Sequence, residues 1–221
     1  MRTPVHRILV SDFDGTMTKF DFFDLARRDL PSAADHDFWQ DYVDGRITHF
    51  EALAGIFAAI RTDTPTLEAL VDRMELDPAL PEAVARLRAA GWEIVIASAG
   101  CDWYIRRLLA QAGVRLEIHA NPGVFVPETG LTLSLPVDSP YFKRETGIDK
   151  SAIVRDALAR EPRAAFAGDG RPDLAPSTLV APGRRFATGW LAHHLGNNGE
   201  AFHPFATWSQ IADALLEETP C

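Results

Sequence analysis

Apolar residues along the chain follow two different periods. Ile8, Leu9 and Val10 form a continuous run that stops at Asp12, Asp14 and Gly15, the pattern of a short strand buried on both faces and followed by a turn. Two later runs repeat it: Trp92 to Ala97 ends at Ser98, Ala99 and Gly100, and Ala164 to Ala167 ends at Gly168, Asp169 and Gly170. Between them the spacing becomes helical, over Pro81 to Ala90 before Gly91, Trp103 to Ala112 before Gly113, and Ser151 to Arg160 before Pro162. Buried strands that alternate with helices predict an α/β fold, with a mainly parallel sheet covered by helices on both faces.

Two segments depart from this alternation. Residues 18–79, about sixty positions without a strand pattern, suit an inserted helical module; Thr48 and Glu51 form a capping box ahead of Leu53, Ile56, Phe57 and Ile60. The expected division is therefore a core of residues 1–17 and 80–221 and a helical cap of residues 18–79. Val124 to Val126 and Leu131 to Leu135 flank Pro127 to Gly130, which predicts a small β-hairpin outside the parallel sheet. A last helix is expected from Thr207, with Gln210 in capping position and Ile211, Ala214 and Leu215 facing inward.

Composition narrows the class. With 221 residues, 47% hydrophobic and 24% charged, the chain is an ordinary globular sequence, which excludes disorder and collagen-like repeats. Two cysteines, Cys101 and Cys221, are too few for a disulfide framework or a thiolate zinc cage. No apolar stretch reaches the roughly 18 residues of a membrane helix, and Met1 to Pro4 leads into no signal-peptide pattern, so a cytoplasmic protein without a membrane partner is expected. An excess of 31 Asp and Glu over 22 Lys and Arg argues against nucleic-acid binding, which needs basic residues to neutralise phosphates.

The chemistry gathers at strand ends. Asp12 and Asp14 lie two positions apart, so an extended backbone would aim both to one side. Two such charges about 4 Å apart repel by roughly 4 kcal/mol at an effective dielectric of 20, so the pair needs a proton or a cation. Asp169, at another strand end, can complete an oxygen-rich site of the kind that suits magnesium. Asp-Gly is also a plain turn signal. A calcium EF-hand loop fails, because placing Gly15 at its sixth position puts Val10 where an oxygen ligand is required.

Lys150 is one of three lysines, with Lys19 and Lys143. It follows Asp149, a suitable N-cap, and so falls in a first helical turn where the macrodipole disfavours a cation by about 0.3 to 1 kcal/mol. A residue that breaks a local rule is a functional candidate, although a solvated surface lysine, or Lys143 in the same role, is the competing reading. Ser98, with Ala99 and Gly100, can offer a hydroxyl and free backbone amides to an anion; no Gly-x-Ser-x-Gly elbow surrounds it, against serine-hydrolase chemistry. His193 and His194 form no ligand pair, and Cys101 reads as a small buried residue.

The segments Asp12-Phe13-Asp14-Gly15-Thr16, Ser98, Lys150 and Gly168-Asp169-Gly170-Arg171-Pro172-Asp173 resemble, in order, the four motifs of the haloacid dehalogenase superfamily phosphatases. Ala120 to Pro122, Leu131 to Pro136 and Phe202 to Trp208 are similar to segments of the methionine-salvage phosphatases and the phosphoethanolamine/phosphocholine phosphatases; that branch, with the phosphoserine phosphatases, carries a helical cap after the first motif. The resemblance implies a Rossmann-like core with its site at the strand C-termini, and a magnesium-dependent phosphatase acting on a small phosphorylated metabolite. It implies Asp12 as nucleophile, Asp14 as acid and base, and Lys150 as a catalytic cation. Phosphate would be bound by Ser98, Ala99, Gly100, Thr16 and Lys150, and Mg2+ by Asp12, Asp14 through its backbone carbonyl, Asp169 and Asp173. A phosphotransferase or phosphomutase, or a non-catalytic phosphate-binding module, are the alternatives. Specificity would lie with Phe20, Asp21, Phe22, Phe23, Asp24, Trp39, Tyr42 and Arg46 of the cap and with Trp103 and Tyr104.

Overall fold

Strand β1 (Arg7–Ser11) carries the first apolar run, and its residues divide by parity. Ile8 and Val10 pack with Val95, Ala97, Phe166 and helix-borne Ile153 and Val154. Leu9 packs on the opposite face with Ile94, Ile96 and Leu215, as alternating side chains of a doubly covered strand must. The computed structural model describes residues 7–217; Met1 to Pro4 and Cys221 lie outside them.

Helices α1 (Phe22–Asp29), α2 (Phe38–Val43), α3 (His49–Ala58) and α4 (Thr64–Asp72) follow, then α5 (Leu80–Ala89). Each of the first four starts at an acid or threonine whose side chain accepts a backbone N–H, namely Asp21, Asp37, Thr48 and Asp63, so their starts are set locally. The Thr48–Glu51 capping box is formed reciprocally. Strand β2 (Trp92–Cys101) is longer than its apolar run, continuing through Ser98 to Gly100. The chain then forms α6 (Asp102–Gln111), β3 (Glu117–Asn121) and the antiparallel hairpin β4 (Gly123–Val126) and β5 (Gly130–Leu133), then the short antiparallel pair β6 (Phe142–Lys143) and β7 (Gly147–Ile148). After them come α7 (Lys150–Arg160), β8 (Ala165–Gly168), α8 (Leu174–Ser177), β9 (Arg185–Ala187), α9 (Gly189–Asn197), β10 (His203–Pro204) and α10 (Trp208–Glu217).

The six-stranded sheet has the order β10-β9-β8-β1-β2-β3 and is parallel throughout. The chain winds outward from β1 to β2 and β3, then returns to β8 on the other side of β1. Beyond the C-terminal ends of β1 and β8 the two crossovers diverge, leaving the crevice in which open α/β sheets bind ligands. Helix α10 begins one residue after Thr207, and its first turn is held by Asp77, whose Oδ2 accepts the Ser209 amide at 2.7 Å. Trp208 is wholly buried and donates its indole N–H to Ser11 Oγ at 3.0 Å, fixing that helix to the end of β1.

Candidate active site

Parallel register places two of the acids side by side. Ser11 pairs with Ala167, and the Asp12 amide donates to the Ala167 carbonyl at 2.9 Å, so Asp12 and Asp169 leave adjacent strands on the same edge of the sheet. The chain then turns sharply, with the amides of Thr16, Met17 and Thr18 all donating to the Phe13 carbonyl. Gly15 occupies the left-handed region at φ +67°, and an added Cβ would lie 2.8 Å from the Asp169 carboxyl carbon. Glycine there satisfies both the turn and the close approach.

This turn corrects the expected geometry of the Asp12–Asp14 pair. The strand stops at Ser11, so the extended alternation does not reach Asp14. Its Oδ1 instead accepts the Phe22 amide at 3.2 Å and its Oδ2 accepts the Tyr104 hydroxyl at 3.0 Å. The carboxylates that crowd Asp12 come from β8 and the loop after it: Asp12, Asp169 and Asp173 each present an oxygen within 4.8 Å of the others.

Lys150 lies among these acids. As the first residue of α7, behind the Asp149 N-cap, it is 5% exposed, and its ammonium donates to Asp12 Oδ1 at 2.8 Å and Asp173 Oδ1 at 2.7 Å. The unfavourable helix position is thus explained by two buried ion pairs. Lys143, the rival, is exposed on β6. Asp173 is fully buried with both oxygens engaged, since Oδ2 accepts the amides of Asp169 at 3.2 Å and Gly170 at 3.0 Å. It therefore orients Lys150 and the Asp169 loop, and it presents an oxygen within reach of the same ion that Asp12 and Asp169 could hold.

One ammonium among three carboxylates leaves the cluster short of positive charge. Burial, then Asp173, raises Asp12 well above the ordinary carboxylate range despite Lys150. The same two causes push Asp169 up to about 7, and burial lifts Asp14 to about 6 against its hydrogen bonds from Phe22 and Tyr104. Burial alone would lower the pKa of Lys150, but Asp12 and Asp173 outweigh it and raise it. Oxygen donors on adjacent strand ends, whose carboxyls burial and mutual repulsion disfavour as anions, fit a hard divalent ion. The donor carboxylates that come together for one are Asp12, Asp169 and Asp173.

Opposite the acids, the register of β2 against β3 shifts between Ala97 and Cys101. The amides expected to be free after Ser98 are in part engaged: Gly100 donates to Ser98 Oγ at 3.0 Å and Cys101 to the Tyr104 hydroxyl at 3.0 Å. A bulged strand end supplies its own side-chain acceptors, which the sequence pattern does not reveal. Thr16 directs its hydroxyl at Asp169 Oδ1, 3.4 Å away. Cys101 is buried, and burial pushes its thiol up to about 12, away from reactive thiolate chemistry.

A cavity of about 330 Å³ opens above this cluster, reached by Asp12, Asp14, Ser98, Ala99, Gly100, Lys150 and Asp169. Helices α1 to α3 form its far wall with Phe23, Trp39 and Tyr42, together with Asp21 and Asp24. Four candidates lie elsewhere. Phe22 is in the core, stacked on Tyr104; Phe20 is exposed; Arg46 pairs with Asp41 and Asp44; and Trp103 packs on Phe125. Tyr104 lines the cavity.

Sequence reasoning missed His49, Arg171 and Trp190, which also line it. His49 lies beside Trp39 and Tyr42, its Nδ1 buried without a hydrogen-bond partner, and burial followed by the charge of Lys150 lowers its pKa to about 4. Its place inside the Thr48–Glu51 capping box, as the first residue of α3, was the available signal. Arg171 stacks on Trp190, its guanidinium 4.8 Å from the ring centroid; it stands inside the Gly-Asp-Gly-Arg segment, but nothing local links it to Trp190.

Among the described residues no helix is long and apolar enough to cross a membrane. No curated protein sequence matches the chain. Solved structures do. A HAD family hydrolase from Salmonella enterica subsp. enterica serovar Typhi superposes with a TM-score of 0.68 at 19% identity, covering 99% of this chain and 74% of that one. A substrate-bound phosphoserine phosphatase gives 0.64 at 15% identity, covering 97% and 99%. The phosphoserine phosphatase of T. onnurineus, in complex with NDSB-201, gives 0.62 at 17% identity, covering 99% of both chains. These likenesses establish the shared fold. The family model described as haloacid dehalogenase-like hydrolase matches residues 9–175, a span that contains every acid of the cluster and Lys150, and the chain belongs to that family.

Proposed function

We propose that the chain is a magnesium-dependent phosphatase that hydrolyses a small phosphomonoester through an aspartyl-phosphate. The supporting observation is the position of Asp12: it directly follows strand β1 at the sheet's switch point, bonded to a buried ammonium and facing a cavity sized for a small metabolite. The solved phosphoserine phosphatases with this fold support the reaction class.

Asp12, the backbone carbonyl of Asp14 and Asp169 would hold Mg2+, with Asp173 orienting the loop that carries Asp169. The bound ion supplies positive charge against the approach of a carboxylate to a phosphate dianion. Lys150 contributes in the same sense and holds Asp12 Oδ1, leaving Oδ2 to attack phosphorus. As the new Oδ2–P bond forms, the bond from phosphorus to the leaving oxygen breaks, and Asp14 gives its proton to that oxygen, releasing the alcohol. Asp14, now ionised, takes a proton from water as the water oxygen attacks phosphorus; inorganic phosphate leaves and Asp12 is regenerated. Ser98, Ala99 and Gly100 border the phosphoryl position, whereas Thr16 is outside the cavity lining and acts through its hydroxyl's approach to Asp169. The wall of Phe23, Trp39 and Tyr42 faces the leaving group.

Assaying phosphate release from p-nitrophenyl phosphate and a panel of phosphorylated metabolites tests this. Activity should need Mg2+, disappear with a chelator and be abolished by Asp12→Asn with the fold unchanged. Wild-type rates in the Asn variant, or phosphoryl transfer to added alcohols without phosphate release, would overturn it.

A further inference from the structure

Asp14 is held from two directions, and one of its partners has no role in the mechanism above. Its Oδ1 accepts the amide of Phe22, the first residue of α1. Its Oδ2 accepts the hydroxyl of Tyr104, which in turn accepts the amide of Cys101. A phenol has one proton, and here an amide already occupies a lone pair of its oxygen, so that proton is directed at Asp14. The ring cannot easily turn away, because it is wholly buried and stacked on Phe22, with centroids 4.6 Å apart and planes at 23°. The same Phe22 supplies the other hydrogen bond. Gly100 completes the arrangement: an added Cβ there would overlap the Tyr104 hydroxyl and lie 2.8 Å from Asp14 Oδ2, so the strand end is kept bare where the two groups meet.

We infer that Tyr104 is a positioning residue that aims the Asp14 carboxyl at the leaving-group oxygen, with its ring tying that aim to the start of helix α1. The inference rests on the phosphatase reading, since it concerns the step in which the bond from phosphorus to the leaving oxygen breaks and Asp14 passes its proton to that oxygen. General acid catalysis contributes about 10²- to 10⁴-fold to such steps, and the contribution is largest when the departing alkoxide is strongly basic. A p-nitrophenolate leaves without help; an alkyl alkoxide does not.

Kinetics of Tyr104→Phe on p-nitrophenyl phosphate and on an alkyl phosphate that the wild-type protein turns over test the inference. The variant keeps the ring and its stack on Phe22, and circular dichroism with a thermal melt checks its fold. The kcat/KM of the alkyl ester, which reports only the steps up to release of the alcohol, should fall by about 10- to 100-fold with a much smaller loss of kcat/KM on the aryl ester, whereas the shared hydrolysis of the aspartyl-phosphate affects kcat for both. Asp14→Asn should show the same selectivity in kcat/KM, and adding Tyr104→Phe to it should cost little more in that parameter, because up to release of the alcohol both act on one proton transfer. If Tyr104→Phe does not fold, Tyr104→Met, which fills the site with a flexible side chain, should give the same ratio. Equal losses of kcat/KM on both esters, or additive losses of kcat/KM in the double variant, would overturn the inference while leaving the phosphatase reading standing. A wild-type protein that releases phosphate from neither ester would overturn both.

Discussion

Replacing Lys150 by methionine removes the ammonium that pairs with two buried carboxylates, Asp12 and Asp173, beside the half-buried Asp169, while nearly preserving side-chain length. Its two ion pairs, 2.8 Å to Asp12 and 2.7 Å to Asp173, lie where water does not compensate, with Lys150 5% exposed and Asp173 fully buried. Breaking a buried pair by deleting one partner costs about 3 to 5 kcal/mol, and in a chain of this size each kcal/mol lowers the melting temperature by about 2 to 4 °C. Lys150→Met should therefore melt about 6 to 20 °C below the wild type at pH 7.5 in a chelator. The pH dependence has a definite sign. With the ammonium gone, the pKa values of Asp12 and Asp169, already raised, rise further, so the folded state binds more protons than the unfolded one from about pH 4 upward and stability falls with rising pH. The deficit should shrink toward pH 5, and saturating Mg2+ at pH 7.5 should reduce it by supplying charge to the same acids. Differential scanning fluorimetry at pH 5 and 7.5, with chelator and with Mg2+, reads all three effects. A variant that melts with the wild type at pH 7.5 in chelator, or a deficit that grows toward pH 5, would refute this electrostatic account.

Three further outcomes follow from the same charges and turns. Gly15→Ala places a Cβ against Asp169 in a left-handed backbone; it should lose about 1 to 3 kcal/mol in urea titration and most of its Mg2+-dependent turnover. The metal-free wild type should itself grow more stable from pH 7.5 to 5, because Asp12, Asp14 and Asp169 have raised pKa values in the folded state and stability contributed by their protons is lost as pH rises through them; thermal melts that show the reverse slope would contradict it. Asp21→Asn should raise the melting temperature of the metal-free protein at pH 7.5 but not at pH 5. Asparagine caps α1 as well as aspartate does, and it removes a charge that burial, then Asp14 and Asp169, already disfavours.

Helices with a local start signal were legible. Thr48 with Glu51 and Asp149 before Lys150 cap α3 and α7 as their spacing predicts, because a cap is an interaction between residues three apart. The hairpin at Gly130 was legible for the same reason, as were the acids at the ends of β1 and β8. The direction of Asp14 was not: it depends on the amide of Phe22 and the hydroxyl of Tyr104, eight and ninety positions away. His49 and the Arg171–Trp190 stack escaped notice because a pocket wall is assembled from helices whose mutual placement no local pattern encodes.

Hydrophobic period and capping chemistry by themselves determined that strands and helices alternate, where several of them begin, and which acids stand at their ends. Tertiary structure alone decided which charges meet. Strand order and register brought Asp12 beside Asp169, and the packing of α7 carried Lys150 between Asp12 and Asp173. Electrostatic energy depends on separation in space and on exclusion of water, and neither quantity is written in the distance between residues along a chain.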